Sequence, residues 1–187
     1  MPLLLKIVAT LAALYLILAL AAFFGQRRLM YFPETTRTPP LALGLAGVEE
    51  VVIDTGDGAR VIAWWAKAQP GQPTLLYFHG NAGSFPNRAE RIRAYLARGR
   101  GLLMLTYRGY GGSTGSPSEK ANVADARLAY DLLVREGIRP GDIILYGESL
   151  GSGIAAQIGA EKPIGGLVLD APYTSTVDVG AAAYPFL

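Results

Sequence analysis

"ILYGESLGSG" (Ile144–Gly153) holds the reading on which the fold turns. Three apolar residues run into Gly147-Glu148-Ser149-Leu150-Gly151, which fits G-x-S-x-G. After it the pattern becomes helical, from about Leu150 to Ala160. Between a strand and a helix, this pentapeptide makes a sharp turn that forces the serine into a strained backbone. Its hydroxyl then projects at the strand's carboxyl end, and Gly147 and Gly151 let the helix pass close to the strand. The N–H of Leu150, at the helix start, can hold an oxyanion. The plainer alternative is a Gly/Ser-rich turn with Ser149 as a helix cap.

A serine nucleophile needs a base, and the one histidine, His79, lies seventy residues before Ser149. His79-Gly80-Asn81-Ala82-Gly83 follows the apolar run Thr74–Phe78. There a His-Gly pair lets the backbone bend so that the Asn81 N–H faces the nucleophile as a second oxyanion donor. In this arrangement the base comes after the serine, so His79 reads as site-shaping, with Gly80 and Glu148.

Outward from these motifs, strands and helices alternate. Strands are expected at Glu49–Thr55 and Arg60–Lys67, as a hairpin around Gly56-Asp57-Gly58, and at Thr74–Phe78, Gly101–Tyr107, Asp142–Tyr146 and Gly165–Asp170. Helices are expected from about Pro86 to Arg98, from Glu119 to Arg135 behind a Ser118 cap, and after Ser149. The alternation implies an α/β fold, a mostly parallel sheet with helices on both faces. Its ligand sites lie beyond the strands' carboxyl ends. Trp64, Trp65 and Tyr110 read as core before they read as lining of a site.

At the N-terminus, Ile7–Phe24 is eighteen residues with only Thr10 polar. As a helix it spans roughly 27 Å, about a bilayer core. A single-pass membrane anchor, with the lipid bilayer as partner, is the first reading. A cleaved signal peptide (Ala19-Leu20-Ala21) is the second and a buried soluble helix the third. The expected organisation is an anchor over 1–25, a Pro/Gly-rich linker over 26–47 and a catalytic-type unit over 48–187. Lys6 opposes Arg27, Arg28 and Arg37, which leaves the orientation open. The net charge of +2 and the lack of a basic run argue against a nucleic-acid partner. The absence of cysteine excludes disulfides and thiolate metal sites; no metal or cofactor is expected. Gly151-Ser152-Gly153-Ile154-Ala155-Ala156, with Asp170 after it, also fits a dinucleotide fingerprint. Four residues, however, separate its first glycine from the strand end.

Taken together, "QRRLMYFP", "YFHGNAGS", "YRGYGGSTGSPSE", "LYGESLGSGIA" and "LVLDAPYTS", in this order across residues 26 to 176, resemble the membrane-anchored α/β-hydrolase-domain serine hydrolases. The resemblance implies an α/β-hydrolase fold, with Ser149 as nucleophile and Asn81 and Leu150 as oxyanion donors. The substrate is an unidentified acyl ester, thioester or amide. It also implies a fold that continues past the sixth strand, through a segment beginning like "AAAYPFL", to two more strands bearing the catalytic acid and histidine. Asp170 and Asp178 match neither. The expectation is therefore an incomplete hydrolase domain, inactive or nearly so as an isolated 187-residue chain, with the sixth strand left as an apolar sheet edge. The alternative is a degenerate, non-enzymatic hydrolase domain that serves as a membrane-attached binding module.

Overall fold

The computed structural model describes residues 2–185. Met1, in the expected anchor, and Phe186 and Leu187, in the "AAAYPFL" segment, lie outside them. Eight strands are described: β1 (Phe32–Pro33), β2 (Glu49–Asp54), β3 (Arg60–Ala66), β4 (Thr74–Phe78), β5 (Ala82–Gly83), β6 (Gly101–Leu105), β7 (Ile143–Glu148) and β8 (Gly166–Asp170). The helices are α1 (Leu3–Met30), α2 (Ala89–Leu96), α3 (Glu119–Arg135), α4 (Leu150–Glu161) and α5 (Thr176–Ala183).

Six strands form one sheet in the order β2-β3-β6-β4-β7-β8. The hairpin β2–β3 pairs antiparallel, and β3 also runs antiparallel to β6. From β6 through β4 and β7 to β8 every pairing is parallel. Because β4 and β6 are covered on both faces, all their residues are buried, which is why they read as unbroken apolar runs. The strand period of two sends Leu76, Phe78, Leu103 and Leu105 to one face, against Ala126 and Leu133 of α3 and Ile154 and Ile158 of α4. Leu75, Tyr77, Leu102 and Met104 go to the other, against Ile92 of α2 and Phe85. Trp64 is wholly buried and stacks on Phe85 at 4.1 Å between ring centroids. Trp65 and Tyr110 are buried as well.

Two boundaries differ from expectation. The first helix runs through to Met30, five residues into the expected linker. Nothing between Gly25 and Tyr31 breaks it, and Arg27 and Arg28 in its last turn favour its negative end. The helix is long and apolar enough to cross a membrane, and none of its residues is buried. The remaining linker is not free either, since Tyr31 and Leu45 join the core. The expected helix from about Pro86 to Arg98 divides into a 3₁₀ turn at Phe85–Arg88 and the shorter α2. Pro86 sits in the first turn, where its missing N–H costs nothing.

Candidate active site

Ser149 stands between the end of β7 and the start of α4, with φ 48° and ψ −115°. Only one other residue that is not glycine, Ala171, has a positive φ among the described residues. Such a conformation costs of order 1–3 kcal/mol and persists where its surroundings fix it. Here the Ser149 N–H donates to the Asp170 carbonyl at 2.8 Å. Its own carbonyl accepts from the Ser152 N–H at 2.8 Å and the Ser152 hydroxyl at 2.6 Å. The flanking glycines have no room for a side chain. A Cβ on Gly151 would meet the Phe78 carbonyl oxygen at 2.1 Å, and one on Gly147 would meet the Gly151 oxygen at 2.5 Å. A Cβ on Gly153 would meet the Tyr173 hydroxyl at 2.4 Å. These glycines thus seat protein atoms, which explains the Gly-x-Gly spacing without a dinucleotide.

The loop after β4 runs against this turn. A Cβ on Gly80 would lie 3.6 Å from the Ser149 Cβ. His79, wholly buried, places Nδ1 2.6 Å from the Gly80 carbonyl oxygen. That contact requires a proton on Nδ1, so the ring is the neutral Nδ1–H tautomer. Burial, then the nearby Arg88 charge, lowers its pKa to about 3. The ring packs 4.2 Å from Tyr107, and Nε2 has no partner among the described residues. In a trans peptide the carbonyl and the next N–H point in opposite directions. Holding the Gly80 oxygen to the ring therefore turns the Asn81 N–H away from it. Two further hydroxyls fix the loop: Tyr107 donates to the His79 carbonyl at 2.5 Å and Tyr110 to the Asn81 carbonyl at 2.7 Å. Among the described residues, the N–H groups of Asn81 and Leu150 have no hydrogen-bond partner.

Glu148 lies against this loop, its Oε1 3.3 Å from where a Cβ on Gly80 would sit, and enters a charged cluster. Arg88 reaches it with Nη2 at 2.7 Å and Nε at 3.3 Å, and the Tyr77 hydroxyl donates at 2.5 Å. Burial raises its pKa, but Arg88 and Tyr77 outweigh that, so the carboxyl is held below its usual range. Arg88 also donates to the carbonyls of Ala82 and Ser84, at 3.0 and 3.4 Å. One guanidinium thus ties the loop after β4 to the turn after β7. Arg91 bonds Tyr77, Tyr146 and Asp170 at 2.9–3.1 Å. Asp170 is therefore engaged by Arg91 and Tyr146, and Asp178 lies in the first turn of α5, accepting from Thr174.

The roles of Arg88, Tyr107 and Tyr110 escaped sequence reading. The arginine sits in what reads as a generic basic helix, Tyr107 at the end of an expected strand and Tyr110 in the glycine-rich stretch after it. The available signal was position for the tyrosines, which lie just after β6. A cavity of about 670 Å³ opens between the last turn of α1 (Arg27, Met30), the start of α4 (Leu150, Gly153, Ile154) and Tyr173.

The strand order, the strained serine between β7 and α4, and the two free N–H groups define a class. The sequence pattern of the alpha/beta hydrolase fold matches residues 73–187, and the chain belongs to that family. An uncharacterized protein of Mycobacterium tuberculosis is 40% identical over 165 residues, covering 87% of this chain and 59% of its own. The bovine lysophosphatidylserine lipase ABHD12 is 30% identical over 190 residues, covering 88% and 47%. The crystal structure of an alpha-beta hydrolase from Vibrio vulnificus superposes with a TM-score of 0.62 at 30% identity, covering 78% of this chain and 57% of that one. The chain thus spans about half to three fifths of these proteins' lengths.

Proposed function

We propose that the chain carries the nucleophile and oxyanion hole of a single-pass, membrane-attached serine hydrolase. It would act on carboxylic esters, thioesters or amides. Residues 1–25 supply the anchor, 26–47 the connection and 48–187 the hydrolase portion. The observation that carries this reading is Ser149 at φ 48°, facing a loop whose Asn81 N–H is unpaired, as is that of Leu150 at the helix start. Membrane attachment rests on the length and composition of α1. An ester substrate agrees with the bovine relative's name, which specifies a lipase.

The chemistry follows from the geometry. The Ser149 Oγ bonds to the substrate carbonyl carbon and passes its proton to a base. The carbonyl oxygen becomes an oxyanion facing the N–H groups of Asn81 and Leu150. The leaving group departs with a proton, giving an acyl-enzyme. Water then repeats the attack and frees the acid and Ser149. His79 does not serve as that base: its buried Nε2 has no bond to the Ser149 hydroxyl, and burial, then Arg88, lowers its pKa to about 3. Residues 1–187 contain no other histidine, so a base and acid from further residues, such as the longer relatives have room for, would complete the site. As an isolated polypeptide, residues 1–187 would turn over substrate several orders of magnitude more slowly.

The test is hydrolysis of short-chain ester, thioester and amide substrates by the protein as its cell makes it. Ser149→Ala should lower kcat/KM at least about 10³-fold. Unchanged turnover in that variant would remove Ser149 from the mechanism. A folded protein with no Ser149-dependent turnover of any of them would favour the binding-module reading.

A further inference from the structure

The end of α1 is bonded directly to the residue that bears the proposed oxyanion donor. The last carbonyls of a helix have no partner within it. The Met30 carbonyl accepts from the Asn81 side-chain Nδ2 at 3.0 Å. Two residues on, the Phe32 N–H donates to the Asn81 carbonyl at 3.1 Å. β1 then pairs in parallel with β5, Phe32 opposite Ala82 and Pro33 opposite Gly83. Tyr31 is buried in the main core cluster, and the Glu34 carbonyl accepts from Gly111 at 2.8 Å. Asn81 is thus held at its side chain by Met30, the last residue of α1, and at its carbonyl by Phe32, two residues on. The peptide that carries its N–H is held on the other side by His79.

We propose that residues Met30–Pro33 position the oxyanion hole, so that the apolar helix is a working part of the active site as well as a tether. This inference rests on the reading of Ser149 as nucleophile. Asn81 has two separable parts in it. Its main-chain N–H meets the oxyanion, and its side chain is a positioning group that acts through the Met30 carbonyl. When that tie is lost, the loop keeps its fold but the N–H loses its fixed direction. The loss falls on the transition state, where the oxygen carries charge, and spares ground-state binding.

The experiment compares the natural full-length protein with Asn81→Ala, which keeps the N–H and removes only the bond to Met30. A second variant, Phe32→Pro, removes one of the two donors to the Asn81 carbonyl and leaves the Tyr110 hydroxyl. Tyr31 has ψ 126°, which a following proline accepts. Leu41→Ala, at an exposed residue outside Met30–Pro33, is the control. With a soluble p-nitrophenyl ester, Asn81→Ala and Phe32→Pro should each lower kcat about 10-fold, with KM within twofold. Inhibition by an alkylboronic acid, which forms a tetrahedral adduct on the serine, should weaken by the same factor. Leu41→Ala should match the parent. Parent-like kcat in both Asn81→Ala and Phe32→Pro would overturn the inference while leaving Ser149 in its role. So would a rise in KM at constant kcat. Absence of Ser149-dependent turnover in the parent would instead overturn the underlying reading, and the inference with it.

Discussion

Nδ1 of His79 lies 2.6 Å from the carbonyl oxygen of Gly80, and this contact decides what the single histidine of these residues does. Nδ1 orients the peptide before Asn81 in a wholly buried position, and Nε2 makes no bond to the Ser149 hydroxyl.

That burial makes stability depend on acid. The folded pKa is about 3, lowered from 6.5 first by burial and then by Arg88, with Glu148 acting in the opposite sense. Between those values the unfolded chain binds a proton that the folded chain does not. Stability therefore falls as pH drops below 6.5, by up to about 1.4 kcal/mol per unit towards pH 3. In His79→Asn, an amide can keep a bond to Gly80 without titrating. Urea unfolding in detergent at pH 7, 5.5 and 4 should show a shallower loss in this variant than in the parent. Equal slopes would mean that the ring is not buried neutral.

Gly151 should not accept a side chain. The Cβ of Gly151→Ala would meet Phe78 backbone at 2.1 and 2.5 Å, and neither partner is a flexible side-chain end. Separating α4 from β4 should cost about 3 kcal/mol and displace Ser149. Gly159→Ala in the same helix meets only side-chain tips, Ile164 at 3.3 Å, Leu145 at 3.6 Å and Leu167 at 3.9 Å. It should change the thermal midpoint little or raise it. Two equally stable variants would contradict the close approach of α4 to β4.

The Arg88–Glu148 pair should be needed for stability as well as for the site. Their side chains are 9% and 23% exposed, so removing Arg88 leaves the Glu148 charge with little solvent and with Arg91, at 3.6 Å, as its remaining cationic partner. Arg88→Met should lower stability by about 3 kcal/mol, and Arg88→Lys should recover part of it. Chemical denaturation of the double variant with Glu148→Gln checks the coupling: the second change should cost much less in the Arg88→Met background than alone.

Much of this was legible in the sequence, because period and punctuation are local. The all-apolar runs of β4 and β6 gave buried parallel strands, Gly56-Asp57-Gly58 gave the β2–β3 hairpin, and Gly147–Gly151 gave the turn at Ser149. What the sequence hid was long-range. The bond from Asn81 to Met30 joins residues 51 apart, and the Arg88–Glu148 contact joins residues 60 apart. The end of α1 was misplaced because Gln26–Met30 are polar or mixed in character, yet nothing there breaks a helix. Arg88 passed as surface charge because only the folded sheet brings α2's leading turn to the end of β7.

The central claim is that Ser149 is a presented nucleophile. The most direct measurement is to treat the protein from its native cell with a fluorophosphonate probe and map the modified peptide by mass spectrometry. Covalent phosphonylation on Ser149, lost in Ser149→Ala and slowed by several orders of magnitude in the isolated 187-residue polypeptide, is the predicted result. A native protein that stays unlabelled at Ser149, or one labelled on another residue at the same rate in Ser149→Ala, would contradict it.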